Sequence, residues 1–127
     1  MKRTAKQAMT VSEAKKAILA WFDDNDPWRI YNPHYPAKIR RELGIEKATF
    51  DAAAIELLRE GVVQMCEHDH AGLLTEAQRE ELVYGGERPS YYTPGAMSPV
   101  YYCTLSLRGL HSWRRQPDGT WAPDQAA

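Results

Sequence analysis

Apolar residues recur in this chain at helical spacing three times before the pattern turns to alternation. Val11, Ala14, Ala17, Ile18, Trp21 and Phe22 repeat at steps of three and four, which gathers them on one stripe and predicts a first helix from about 11 to 23. Thr10 and Glu13 stand at capping-box spacing, where each side chain can meet the other's backbone N–H. Asp23-Asp24-Asn25-Asp26-Pro27 then reads as a solvated stop. Trp28-Arg29-Ile30-Tyr31 has the composition of a short strand, closed by Asn32-Pro33. Pro36 suits the first turn of a second helix, because its missing N–H would have no partner there. Ile39 and Leu43 point inward, Lys38, Arg40 and Arg41 outward, and Gly44 supplies the left-handed stop. A third helix runs from about Lys47 to Glu60, with Phe50, Ala53, Ala54, Leu57 and Leu58 inside. Gly61 ends it, and Val62–Cys66 favours a strand.

Beyond Cys66 the periodicity breaks. Thr75 and Gln78 repeat the capping-box spacing, so 76–84 is predicted as a short helix ended by Gly85-Gly86. Glu87 to Pro99 is rich in Pro, Gly, Ser and Tyr and reads as loop. Val100–Leu105 returns to strand, with Gly109 closing the segment. Trp113 to Trp121 reads as a hairpin on a Pro117-Asp118-Gly119 turn, its two tryptophans placed to pack together. Residues 1–9 read as a flexible basic arm and the last six as disordered; no internal repeat is present.

Length and composition narrow the class. The 127 residues make one domain, and 43% hydrophobic with 26% charged residues is a soluble globular balance. No apolar run approaches the roughly 18 residues of a membrane span, and the basic N-terminus lacks the apolar core of a signal peptide. The expectation is a cytoplasmic protein with Cys66 and Cys103 as reduced thiols. The net charge of −1 hides an asymmetry: residues 1–47 hold 10 Lys/Arg against 6 Asp/Glu, and residues 48–104 hold 3 against 9. Such a balance permits nucleic-acid binding without requiring it.

The order helix, short strand, helix, helix, strand, strand resembles the winged helix-turn-helix superfamily, as in bacterial transcription regulators of the multiple-antibiotic-resistance type. Phe50, Ala53, Ala54, Leu57, Gly61 and Val63 reproduce the spacing of that family's recognition helix, and Tyr102, Leu105-Ser106 and Arg108-Gly109 are similar to its second wing strand. The resemblance covers roughly 11–66 and 100–112, with an insertion in the wing at about 67–99. It implies a mainly α fold with a small antiparallel sheet, a winged-helix domain over 10–112 and a C-terminal hairpin and tail over 113–127. It also implies a homodimer on duplex DNA. Lys47, Thr49 and Ala52 would contact bases, and Lys38, Arg40 and Arg41 would contact phosphates, joined by Lys2, Arg3 and Lys6 of the arm.

The residues themselves supply an alternative. The outward set of the third helix is Glu46, Lys47, Thr49, Asp51, Ala52, Ile55 and Glu56, and its carboxylates repel phosphates. A protein-interaction module that modulates another protein would instead use the tyrosine-rich insertion, with Tyr84, Tyr91, Tyr92 and Tyr101 as contacts. Cys66, His68 and His70 alternate, so an extended strand would put all three on one face, and Cys103 could complete a zinc site. A polar strand entering solvent accounts for the same pattern and is preferred. There is no phosphate-cradling glycine motif and no nucleophile elbow, so neither an enzyme nor a cofactor is expected. If the basic cluster holds phosphates, duplex affinity falls steeply with salt; a flat response in a titration across salt concentrations excludes that mechanism.

Overall fold

Thr10 opens the first helix, α1 (Val11–Asn25), by the predicted reciprocal cap: its Oγ1 accepts from Glu13 N at 3.1 Å while Glu13 Oε1 accepts from Thr10 N at 3.0 Å. The helix runs two residues beyond the expected end at 23 and stops within the Asp23–Pro27 segment, with Asp26 as its C-cap. Its last turn is closed by Asn25 Nδ2 donating to Trp21 O (2.9 Å) and Asp26 N to Phe22 O (2.7 Å). α2 (Pro36–Leu43) follows, then Gly44 at φ 65° and α3 (Lys47–Arg59), all within a residue of expectation. The computed structural model describes residues 8–26, 33–107, 113–115, 117–119 and 121–123. The basic arm through Gln7, the Trp28–Tyr31 strand and Gly109 therefore lie outside the described residues. Met9, assigned to the arm, packs against the core instead.

The strands close this helical layer. β1 (Val63–Glu67), β2 (Val83–Pro89) and β3 (Met97–Leu107) form an antiparallel sheet in the order β1-β3-β2. His34 adds a bridge to the sheet: its N–H donates to Leu105 O (3.0 Å) and Leu105 N to His34 O (2.8 Å). Between β1 and β2 lie a 3₁₀ turn (Ala71–Leu73) and α4 (Glu76–Glu80). The core joins Ile18, Trp21 and Phe22 of α1, Ile39 of α2, and Phe50, Ala53, Ala54 and Leu57 of α3 with Val63, Val83, Leu105 and Leu107 of the strands. Phe22 and Phe50 are fully buried, each contributing about 1.5–3 kcal/mol by leaving water. The fold is α+β, four α-helices with this three-stranded sheet and a separate two-stranded one among the described residues, and no helix there is long and apolar enough to cross a membrane.

The segment between β1 and β3 departs most from its sequence pattern. The Thr75 cap is real, with Thr75 Oγ1 accepting from Gln78 N at 3.2 Å, but the helix ends at Glu80 rather than 84. Val83 is drawn into the core and starts a strand. Gly85-Gly86, expected to end the helix, instead forms an irregularity in that strand, where the pairing with β3 shifts between Tyr84 and Glu87. The expected loop over 87–99 keeps its centre at 90–96 but loses both ends to the sheet, since β2 runs to Pro89 and β3 starts at Met97 and extends to Leu107. At the C-terminus β4 (Trp113–Arg115) and β5 (Trp121–Pro123) pair as expected, and β5 includes two residues read as disordered. The register sets Trp113 across from Pro123 and Trp121 across from Arg115.

Gly85 is required by packing. A Cβ there would sit 2.6 Å from Tyr102 Cε2 and 3.2 Å from Val100 Cγ1, so any side chain displaces the ring that covers β2. Gly85→Ala is expected to lower stability by about 1–3 kcal/mol in urea unfolding, whereas Gly72→Ala, which meets open space, stays within about 0.5 kcal/mol. Equal effects would show that the crowding at Gly85 is relieved by movement.

Candidate functional site

The α4–β2 segment seats on α2 and α3 through the very side chains that sequence spacing assigns to nucleic acid. Arg40 Nη2 donates to Glu80 O at 3.1 Å, and Arg41 Nη2 to Glu81 Oε1 at 2.5 Å. Lys47 Nζ donates to Leu82 O at 2.9 Å and to Asp51 Oδ2 at 2.5 Å, and the same carboxylate accepts from Tyr84 N at 3.2 Å. The Arg41 guanidinium holds the Glu81 carboxyl below its ordinary range, and Glu81 in turn raises Arg41. Burial pushes the Asp51 carboxyl up, outweighing the Lys47 ammonium and the Tyr84 N–H that favour its charged form. Asp51, placed on the outer face by periodicity, is therefore a buried residue, 8% exposed, because the α4–β2 segment covers that side of the helix.

The rest of the α3 outer face borders a groove of about 1020 Å³ facing Tyr84, Gly85 and Gly86 of β2. Glu46, Ala48, Ala52, Glu56 and Arg59 are exposed on it, with Lys47 and Ile55 half-buried. Thr49, the other proposed base contact, is half-buried, and Lys38 is exposed. Lys2, Arg3 and Lys6 lie outside the described residues. Lys15 Nζ meets Glu60 at 2.6 Å and Glu56 at 3.6 Å, which raises its pKa and occupies a further cation beside α3.

The tyrosines divide into two pairs. Tyr84 and Tyr101 pack together with ring centroids 5.3 Å apart, Tyr84 OH donates to Glu87 at 2.8 Å, and the Arg79 guanidinium lies 5.6 Å from the Tyr101 ring centre. Tyr101 is buried, so its assignment as a partner contact is corrected: it packs inward against Tyr84 and Arg79. Tyr91 and Tyr92 stand out from the β2–β3 turn, 92% and 86% exposed, with rings 5.3 Å apart at 77°. Their turn is well tied. Ser90 Oγ accepts from Tyr92 N and Thr93 N at 3.3 and 3.1 Å, and Ser90 N donates to Ala96 O at 2.8 Å. The two rings wall a cleft of about 690 Å³ completed by Pro89, Pro99, His68 and Asp69.

The zinc set does not assemble. β1 ends at Glu67, and the chain then turns so that His70 N donates to His68 Nδ1 at 3.0 Å. The alternation that would align Cys66, His68 and His70 is lost there, and no three His, Cys, Asp or Glu converge on a metal position among the described residues. Burial, with Cys66 and Asp69 nearby, raises the Cys103 thiol. Sequence spacing also missed the pairing of His34 Nε2 with Asp26 Oδ2 at 3.4 Å. That imidazole packs edge-on against Trp21 and Phe22 at 5.1 and 5.5 Å, bracing the end of α1, and only tertiary folding brings it there.

No family model, no curated protein and no solved structure matches this chain.

Asp51 gives the site a pH signature. Its folded pKa lies above the ordinary 3.8, so the folded state binds the proton more tightly than the unfolded one. Its contribution to stability is therefore complete below 3.8 and lost as pH rises through the raised folded value. Relative to Asp51→Asn, the wild-type chain is expected to gain urea stability between about pH 7 and pH 3.5. A difference that does not change with pH would show that Lys47 and Tyr84 fully compensate the burial.

Proposed function

We propose that this chain is a protein-interaction module on a winged-helix scaffold, engaging and modulating a cytoplasmic partner through the Tyr91–Tyr92 hairpin. One observation carries the reading: Arg40, Arg41 and Lys47 are already bonded to Glu80, Glu81, Leu82 and Asp51 of the molecule itself. Releasing Lys47 to phosphate would leave Asp51, a buried carboxyl already pushed toward its neutral form, without its cation, and releasing Arg40 and Arg41 would loosen the α4–β2 segment. Glu46 and Glu56 on the exposed part of α3 add repulsion toward a polyanion. Tyr91 and Tyr92 are the opposite case. They are large, amphipathic, nearly fully exposed and held on a tied turn, which favours contact with another protein at low entropic cost.

The uninterrupted α2–Gly44–α3 unit favours a second reading, a homodimeric regulator on duplex DNA that uses Lys38, Thr49 and Ala52. Two measurements separate them. With a photo-cross-linking phenylalanine analogue at position 92, the interaction reading expects a discrete protein adduct in cells that disappears on Tyr91→Ala, and duplex binding that is weak and nearly flat with salt. The DNA reading expects no adduct and a loss of about a thousandfold in affinity between 50 and 200 mM salt. Replacing Arg40, Arg41 and Lys47 with Ala is not a clean test, because it also unseats the α4–β2 segment.

A further inference from the structure

The composition of the tyrosine cleft selects among protein ligands, an inference that rests on the interaction reading. We propose that the cleft binds an extended, proline-rich peptide segment carrying a basic residue beside its prolines. Apart from its two prolines, Ala71 is the only aliphatic side chain lining it, so the leucine or phenylalanine anchors of an amphipathic helix find no matching pocket. The apolar surface it does offer is made of separate flat ring faces: two phenol rings set at 77° to one another, with Pro89 and Pro99 on the adjoining strands. Flat aromatic and pyrrolidine faces suit the polyproline II helix, whose rings project regularly and whose conformation is preformed before binding.

A polyproline II segment makes no internal hydrogen bonds, so its carbonyls are free to accept from the protein. The cleft supplies hydroxyls from Tyr91, Tyr92 and Ser98. His68 adds a ring donor, because its Nδ1 accepts from His70 N and the neutral imidazole then carries its proton on Nε2. Charge sets the flanking residue. Among the cleft's charged groups, Arg88 pairs with Glu67, and Asp69 remains to face a ligand cation. With its one guanidinium engaged by Glu67, the cleft is poorly equipped for a phosphorylated or otherwise anionic segment.

The test uses the full chain and three fluorescein-labelled synthetic ten-residue peptides: a proline-rich one ending in two arginines, the same peptide with glutamates for the arginines, and a lysine–leucine amphipathic helix. The proline–arginine peptide is expected to bind at least about tenfold more tightly than either of the others. Tyr91→Ala and Tyr92→Ala should each weaken it about tenfold or more, and Asp69→Asn about threefold. The Asp69→Asn loss should vanish with the glutamate peptide. These three residues are exposed, so an unchanged urea midpoint will show that the variants are folded. Equal affinity for all three peptides, or binding that Tyr91→Ala leaves intact, overturns the proposal. A partner cross-linked at position 92 but lacking any proline-rich segment overturns it too, while leaving the interaction reading in place. Absence of any cross-linked partner counts instead against that reading.

Discussion

Asp51 is a carboxylate in the wrong place for a helix surface and the right place for a joint. Taking an ion out of water costs several kcal/mol unless its lone pairs are met. Here they are met by Lys47 one turn earlier on α3 and by the backbone N–H of Tyr84 on the neighbouring strand. Lys47 then reaches on to Leu82 O, so helix, carboxylate, ammonium and strand form one closed set of bonds. The position of β2 against α3 follows from it. Tyr84 N–H also belongs to an edge strand, and Asp51 covers it where an outside strand would otherwise pair.

That joint changes what the surrounding charges can do. Arg40 and Arg41 reach toward the same segment, so cations that look available along the sequence are internal fasteners in the folded chain. The exposed remainder of α3 is small and acidic. Meanwhile the segment held down at Leu82–Tyr84 continues into a β2–β3 hairpin, and its turn lifts Tyr91 and Tyr92 away from the body. The same bonds that occupy the basic cluster thus support the aromatic tip from below, and Gly85 lets Tyr102 lie close over the strand that carries it.

Much of this was legible along the chain where one local rule acted alone. Thr10 and Thr75 cap helices because the partner N–H lies three residues on. Gly44 turns the chain because it tolerates φ 65°. The inner stripe of α3 follows from spacing. The reading failed where two rules competed. Gly85-Gly86 satisfies a helix-stop pattern and a strand-irregularity pattern equally well, and only the core position of Val83 decides between them. Tyr101 could not be told from Tyr91 by type or neighbourhood, since one is buried by Tyr84 and Arg79 and the other by nothing.

The sequence by itself therefore determined the helices, their caps and the apolar stripe that seats them, because those depend on residues within one or two turns of each other. Tertiary structure alone decided which charges are free. Asp51 and Tyr84 are 33 residues apart and Arg40 and Glu80 are 40 apart, and no local pattern encodes whether such groups meet. A side chain's chemistry is a property of the residue; its availability depends on what the rest of the chain has already bound to it.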